Sequence, residues 1–166
     1  MNKISHDSET PAVGQQVISA VAFITADFDG VTKVFLAKRA DTKKFLPGVY
    51  EMPGGHIDFG EELETGLARE IEEELGMCVS VGEAFAAFTY TNEIKKSHSV
   101  EIVFFASFVD TIENIKLEPE DHSGCDWFSL EELPNAYTDG KGSDDKEFII
   151  IKKGFALLGH VSPEKD

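Results

Sequence analysis

Runs of apolar, β-branched and aromatic residues recur along most of the chain and predict a series of β-strands. The first two runs flank the turn-forming sequence DFDG, so they predict a hairpin. A short run precedes a Pro-Gly-Gly sequence, and two long runs and another short one lie in the second half of the chain. These predicted strands cover residues 15–26, 31–39, 49–52, 78–92, 98–110 and 125–130.

Residues 61–75 have a different pattern, in which apolar side chains recur every four residues. This spacing predicts an amphipathic helix with one buried stripe, and Gly76 is suited to end it in a left-handed conformation. The stripe consists of Leu63, Leu67, Ile71 and Leu75. Gly66 lies off the stripe, and it indicates either close packing of the helix or a ligand near the backbone.

A second amphipathic helix is predicted at residues 146–160, and the sequence SLEELP predicts a short helical turn in which Ser129 and Glu132 form a capping box. Strands outnumber helices and one helix lies in mid-chain, which favours an α/β fold with a mixed sheet packed between helices. The chain of 166 residues is expected to form a flexible polar tail, residues 1–14, and a single domain, residues 15–160.

The charge balance narrows the possible partners. The chain has 31 acidic and 15 basic residues and a net charge of −16, so it should repel polyanions and not bind extended nucleic acid. A phosphate-bearing ligand would need metal cations or a few local basic side chains. The sequence contains no apolar segment typical of secretion or membrane insertion, and Cys78 and Cys125 are expected to be free thiols. We therefore expect a cytoplasmic protein.

The acidic excess is concentrated in the mid-chain helix, where seven glutamates between residues 61 and 74 accompany a single arginine. Like charges one turn apart on an exposed helix are unfavourable by about 0.2–0.5 kcal/mol per pair. A solvated glutamate surface is the usual meaning of such a run. The alternative is that the carboxylates bind a hard cation such as Mg²⁺, which prefers oxygen ligands.

The spacing of the residues decides between these interpretations. Residues 55–77 match the pattern G-x5-E-x7-R-E-U-x-E-E-x-G-U, where U is a bulky apolar residue. At ordinary residue frequencies, roughly one window in 10⁸ would match by chance. The segment resembles the Nudix box of the Nudix hydrolases, which cleave nucleoside diphosphates linked to another moiety, and a looser likeness extends over residues 17–134.

The resemblance implies a Nudix-type α/β/α sandwich and a site on the helix for Mg²⁺, with Mn²⁺ as the alternative. By this likeness the metal ligands are Glu70, Glu73 and Glu74, with the backbone carbonyl of Gly54. Many relatives add a carboxylate from the loop before the last strand. Glu118, Glu120 and Asp121 are available there, and Glu120 is our candidate.

The resemblance also implies catalytic roles. Glu73 is the first candidate for the general base and Glu70 the second, while Arg69 would orient a glutamate. Arg39 and His56 are candidates for binding substrate phosphate, although solvation of a strand end and lining of a loop explain them equally well. Glu61 is expected to support the loop or to reach an outer metal ion, and not to perform chemistry.

Other residues have simpler explanations. His98 and His122 are expected to be exposed loop histidines. Phe45, Tyr50, Phe88 and Trp127 could stack on a base, but core positions explain them more simply.

The sequences PGGHIDFGE and EPEDHSGCDWFSLEELP most resemble the (deoxy)nucleoside triphosphate pyrophosphatase branch of the family. The resemblance therefore favours conversion of a (deoxy)nucleoside triphosphate into a monophosphate and pyrophosphate. Hydrolysis of ADP-ribose or another nucleotide sugar or dinucleotide is the alternative, although the proline that ADP-ribose hydrolases carry about fifteen residues past the box is absent here. A non-catalytic nucleotide-binding module and an isopentenyl diphosphate isomerase are less favoured, because the box is intact. Many relatives dimerise, so a homodimer is possible.

Overall fold

The computed structural model describes residues 13–159. Most of the expected N-terminal tail, and residue 160 at the end of the expected domain, lie outside the described residues. Within the described part, no helix combines the length and apolar character needed to cross a membrane.

The described residues form a mixture of strands and helices in the predicted order. The strands are β1 (Gln16–Phe28), β2 (Val31–Arg39), β3 (Tyr50–Glu51), β4 (Gly54–His56), β5 (Val79–Asn92), β6 (Ser97–Phe108) and β7 (His122–Phe128). The α-helices are α1 (Leu63–Leu75), between β4 and β5, and α2 (Lys146–Gly159) at the end. Short 3₁₀ helices lie at Ile112–Asn114 and Leu133–Ala136.

The strands form one mixed sheet organised around β1. The order is β3-β2-β1-β6-β5, with β4 paired to β1 and β7 paired to β2. β1 is parallel to β6, whereas its pairings with β2 and β4 are antiparallel. The prediction of a mixed sheet is therefore confirmed.

Alternate residues of β1 point to opposite faces of the sheet, and each face is covered by a helix. On one face Ala20, Ala22 and Ile24 belong to the core cluster that contains the apolar stripe of α1. On the other face Val21 and Phe23 pack in a cluster with the apolar residues of α2. Helices thus sandwich the sheet, and the predicted α/β/α architecture is confirmed.

Two strands, β4 and β7, differ from the predicted elements. In both, backbone pairing and not the side-chain pattern determines which residues form the strand. β4 consists of Gly54, Gly55 and His56, which carry no apolar alternation, and it forms because its backbone pairs with β1. β7 begins at His122, three residues before the predicted start, because its first residues pair with the end of β2.

Three local predictions agree with the structure. Gly76 ends α1 with φ of 63°. Ser129 and Glu132 exchange two hydrogen bonds, with each backbone N–H donating to the other side chain, although the turn that follows is a 3₁₀ helix. Gly66 packs closely against the loop before α1, because a Cβ there would lie 2.6 Å from Ile57 Cδ1.

Gly154 in α2 provides a test of this packing. A Cβ at Gly154 would lie 2.9 Å from ring atoms of Phe23, which is 1% exposed, whereas a Cβ at Gly159 would meet nothing within 4 Å. We expect Gly154→Ala to lower the free energy of unfolding by about 1–3 kcal/mol through overpacking. Gly159→Ala should leave it unchanged or slightly raise it. Denaturant unfolding of both variants measures this difference, and equal effects would contradict the packing described.

Candidate active site

A cavity of about 190 Å³ lies where α1, β4 and the ends of β2 and β3 meet. It contains most of the site residues predicted from the sequence, although these are separated by up to 35 positions along the chain. The predicted residues that line it are Arg39, Gly54, His56, Arg69, Glu70, Glu73 and Glu74.

Two glycines bring the backbone of β4 into this cavity. Gly54 has φ of 139°, and a Cβ there would collide with the carbonyl oxygen of Ala20 on β1. A Cβ at Gly55 would lie 2.6 Å from Glu70 Oε2. Glycine is therefore required both for the pairing of β4 with β1 and for the approach of the Glu70 carboxylate to the backbone.

Arg69 joins the loop before α1 to the carboxylates of α1. Its Nε and Nη2 donate to the two carboxylate oxygens of Glu61 at 2.8 and 3.0 Å, and Nη2 also donates to the carbonyl oxygen of His56 at 2.9 Å. Its Nη1 donates to Glu70 at 2.8 Å and to Glu73 at 3.3 Å. The expected contact with Glu73 is present, but Arg69 forms its bidentate pairing with Glu61, which supports the loop as expected.

Glu74 and Glu70 occupy an environment that opposes their ionisation. Burial, followed by the charges of Glu51, Glu70 and Asp121, raises the pKa of Glu74 well above its ordinary value, although the N–H of Gly54 donates to its Oε2 at 3.3 Å. Burial also raises the pKa of Glu70, against the opposing effect of Arg69. Carboxylates with such shifts bind a positive ligand favourably, because the ligand offsets both burial and repulsion.

Glu51, Arg39 and His122 form the opposite wall of the cavity. Burial disfavours the ionised form of Glu51, but Arg39, His122 and Lys141 together lower its pKa to about 2. Arg39 Nη1 donates to Glu51 at 3.3 Å and Arg39 Nε donates to the carbonyl oxygen of Phe45 at 3.1 Å. The Arg39 side chain therefore contributes to the structure of the wall as well as facing the cavity.

His122 was expected to be exposed, and this expectation is wrong. Its side chain is 2% exposed, and Nε2 lies 3.2 Å from Glu51 Oε1. The sequence places it in a polar loop, but the bulged end of β7 pairs His122 with Arg39 and draws the ring inside. No periodic pattern in the loop could have predicted this position.

The loop before β7 contributes Asp121 to the lining of the cavity. Asp121 Oδ1 lies 2.7 Å from Lys43 Nζ, and Lys43 also lines the cavity. The sequence named Asp121 as an available carboxylate of this loop, but it gave no indication of Lys43. Glu120, the candidate from this loop, is exposed and is not among the residues that line the cavity.

His56 lies at the edge of the same cavity. Burial and the nearby Lys95 lower the pKa of its ring, with a smaller contribution from Arg69 in the same direction. The neutral form of His56 is therefore favoured.

The donor chemistry of the cavity fits a hard divalent cation. Three carboxylates of α1 face a space that also contains the backbone of Gly54. Within residues 13–159, however, no three His, Cys, Asp or Glu side chains already converge as a metal site. Glu70 and Glu73 are paired with Arg69 instead.

The shift of Glu74 has a consequence for stability. Because its pKa is higher in the folded than in the unfolded protein, its contribution to stability is present below the ordinary value of 4.5 and is lost as the pH rises through the folded pKa. Glu74→Gln mimics the neutral form. In EDTA, the unfolding temperature of Glu74→Gln should increasingly exceed that of the wild type between about pH 5 and pH 8.

Glu72→Gln is a matched control, because Glu72 is exposed on the same helix and does not line the cavity. It should follow the wild type at each pH. A difference between Glu74→Gln and the wild type that stays constant with pH would contradict the assigned environment of Glu74.

Comparisons with known proteins agree with this geometry. In sequence, the chain is 28% identical over 102 residues to an ADP-ribose pyrophosphatase of Methanocaldococcus jannaschii, a match that covers 61% of this chain and 57% of the relative. It is 37% identical over 60 residues to the nucleoside triphosphatase NudI of Escherichia coli, which covers 36% of this chain and 42% of that protein. The matches thus span less than two thirds of the length of either relative.

In structure, the chain is similar to a MutT protein from Methanosarcina mazei, with a TM-score of 0.68, 24% sequence identity and coverage of 91% of this chain and 97% of that one. At this identity the likeness shows the fold. A sequence model described as the NUDIX domain matches residues 16–149, which include the sheet, α1 and the whole cavity. The chain therefore belongs to the NUDIX domain family.

Proposed function

We propose that this chain is a divalent-cation-dependent hydrolase of the diphosphate linkage in nucleoside diphosphate derivatives. The observation that carries the proposal is the cavity formed by Gly54 and the glutamates of α1, in which Glu70 and Glu74 are partly buried and the charge of Glu70 raises the pKa of Glu74. A nucleoside triphosphate, cleaved to a monophosphate and pyrophosphate, is the favoured substrate. The E. coli relative named a nucleoside triphosphatase supports this choice.

ADP-ribose is the second candidate, because the M. jannaschii relative is named an ADP-ribose pyrophosphatase. Both substrates contain a diphosphate linked to a nucleoside, so the same cavity residues would act on either. The net charge of −16 supports a small nucleotide over an extended nucleic acid.

The proposed ligands for Mg²⁺, or Mn²⁺, are Glu70, Glu73 and Glu74 with the carbonyl oxygen of Gly54. Glu120 was included among the candidates from the sequence, and Asp121 is the residue of its loop that lines the cavity. A bound divalent cation would neutralise the diphosphate and stabilise the charge that develops at phosphorus. Ligation would replace the ion pairs that Glu70 and Glu73 make with Arg69.

Glu73 is the proposed general base. Its side chain is 48% exposed, more than the 17% of Glu70, so water reaches it most readily. As a water oxygen attacks phosphorus, the proton passes to the Glu73 carboxylate, and the phosphorus–oxygen bond of the linkage breaks with its electrons on the leaving phosphate. Glu70 is the second candidate for this role.

Arg69, Arg39 and His56 have supporting roles in the proposal. Arg69 holds the box loop on α1 and orients Glu70 and Glu73. Arg39 and His56, with Lys43 beside them, provide positive or hydrogen-bonding groups for substrate phosphate.

We also propose a cytoplasmic location, consistent with the two free cysteines Cys78 and Cys125. A homodimer, which the family resemblance suggests, is compatible with this site, because the residues named for the reaction all come from one chain. Sedimentation of the purified protein measures the oligomeric state.

The assignment of the site predicts the effect of two substitutions. Glu73→Gln and Glu74→Gln should each lower kcat by about 10²–10⁴-fold, because one removes the base and the other a cation ligand. Circular dichroism should show that both remain folded. Glu72→Gln, on the exposed side of the same helix, should retain wild-type activity. Full activity in both cavity variants would contradict the assignment.

The reaction itself is tested by a panel of nucleoside triphosphates, ADP-ribose, nucleotide sugars and dinucleotides with Mg²⁺. Phosphate release after added pyrophosphatase should occur with triphosphates and disappear with EDTA. Product analysis identifies the cleaved bond. Turnover of ADP-ribose alone would select the second candidate, and no turnover of any member, together with no metal binding, would contradict the proposal.

A further inference from the structure

A second cavity, of about 330 Å³, adjoins the first one. It lies between the loop after β2, the edge strand β5 and the beginning of α2. Five residues line both cavities, so the two spaces are separated by no more than one layer of side chains. The shared residues are Phe45, Leu46, Glu51, Tyr90 and Glu101.

Both cavities are lined by many charged side chains, but their contents differ. The first contains the glutamates of α1, whereas the second brings together three aromatic rings, two of which, Phe45 and Tyr90, also line the first. Phe45 and Tyr90 have nearly parallel rings, with centroids 6.0 Å apart and planes at 11°, and the Phe88 ring lies 6.2 Å from Tyr90. A space of this kind suits the flat face of a nucleobase, because bases stack on aromatic side chains in a way that tolerates every base.

A nucleotide has its phosphates, sugar and base in linear order. If the diphosphate lies beside the α1 glutamates in the first cavity and the base lies beside Phe88 in the second, the sugar lies near the residues that both cavities share. Glu51, Tyr90 and Glu101 are the shared residues that can form hydrogen bonds. Glu51 is already bonded to Arg39 and lies beside His122.

Glu51 forms an ion pair with Arg39, whereas Glu101 is in none of the ion pairs found among residues 13–159. It lies in the middle of β6, opposite Phe88 of β5, and is 7% exposed. Its carboxyl group is hydrogen-bonded to Tyr90, and burial, with the charges of Glu147 and Glu51, raises its pKa. A carboxyl group has about four hydrogen-bonding sites, so the bond to Tyr90 does not exhaust them.

A carboxyl group at this position is unfavourable in the free protein. A buried carboxyl between two strands adds to the repulsion around Glu51 and Glu147, and an apolar residue of similar size would avoid it. Acidic side chains are well suited to bind the ribose 2′-hydroxyl of nucleotides, since the hydroxyl donates to a carboxyl oxygen.

We propose that Glu101 binds the 2′-hydroxyl of the substrate ribose at the junction of the two cavities, and that it thereby selects ribonucleotides over deoxyribonucleotides. The inference rests on the proposed function, since it assumes that the first cavity, beside the α1 glutamates, binds the diphosphate. A deoxynucleotide would leave the buried carboxyl group without this partner, and unpaired buried polar groups discriminate strongly against ligands that lack the matching group. The same hydroxyl belongs to a ribonucleoside triphosphate and to the adenosine ribose of ADP-ribose.

The test is equilibrium binding, which does not require turnover. Adenosine α,β-methylene triphosphate and its 2′-deoxy counterpart are titrated into the full chain with Mg²⁺ in a calorimeter. We expect the ribonucleotide to bind about 10–100-fold more tightly. Glu101→Leu should weaken ribonucleotide binding to the level of the deoxynucleotide and leave deoxynucleotide binding unchanged.

Two further variants make the test specific. Glu101→Gln keeps a carbonyl oxygen that can accept from the hydroxyl, so it should retain most of the preference. Glu83→Leu is the matched control, because Glu83 is exposed on the neighbouring strand and lines neither cavity. It should behave as the wild type. If Glu101→Leu does not fold, Tyr90→Phe removes the hydroxyl group that orients Glu101, and it should reduce the preference by roughly threefold or more.

The outcomes separate this inference from the proposed function. If the wild type hydrolyses nucleotides but binds the two analogues equally, the proposed role of Glu101 is overturned and the hydrolase proposal stands. If Glu101→Leu weakens the binding of both analogues equally, Glu101 has only a structural role, and its proposed role in ribose binding is again overturned. Binding of neither analogue, with no turnover of any nucleotide, would overturn both proposals. The same comparison with ADP-ribose and its 2′-deoxy form identifies which nucleotide class the junction accepts.

Discussion

The guanidinium group of Arg69 is the interaction on which the geometry of the site depends. It binds Glu61 and the carbonyl of His56 on the loop and Glu70 and Glu73 on α1, so one side chain connects the two halves of the Nudix box. The hydrogen bonds to Glu61 are the largest cause of the raised pKa of Arg69. An arginine is suited to this position because its planar group offers five donors in a rigid arrangement, which lysine cannot reproduce.

The acidic excess of α1 has two different explanations on two sides of the same helix. Glu62, Glu64 and Glu72 are exposed, and they form a solvated surface of the kind that charge runs usually represent. Glu70 and Glu74 face the cavity, where burial and mutual repulsion disfavour their charged forms. Repulsion that lowers the stability of the free protein is the same property that makes the cavity attractive to a cation.

The second cavity extends this reasoning from the diphosphate to the rest of a nucleotide. The wall shared by the two spaces contains Glu51, which is compensated by Arg39, and Glu101, which is not compensated in this way. Two buried carboxyl groups, of which one is paired with a cationic side chain and the other is not, are expected to have different roles. Glu51 stabilises the wall, whereas Glu101 retains hydrogen-bonding capacity toward a ligand.

Sequence alone determined the features that depend on local periodicity and spacing. The stripe of α1, its end at Gly76, β2 and the capping box at Ser129 follow from side-chain pattern and local hydrogen bonding, so neighbouring residues suffice to predict them. The complete spacing of the box identified the family and placed its glutamates on one helix.

Contacts between distant segments were decided only by the tertiary structure. β4 exists because two glycines allow its backbone to approach β1, and His122 is buried because β7 pairs with the end of β2. Likewise, Asp121 lines the cavity and Glu120 does not, because adjacent residues of a loop face different directions that no local pattern specifies. The junction at Glu101 joins β6 to the loop after β2, to β5 and to the beginning of α2, and such long-range proximity is a property of the folded sheet, not of any segment of sequence.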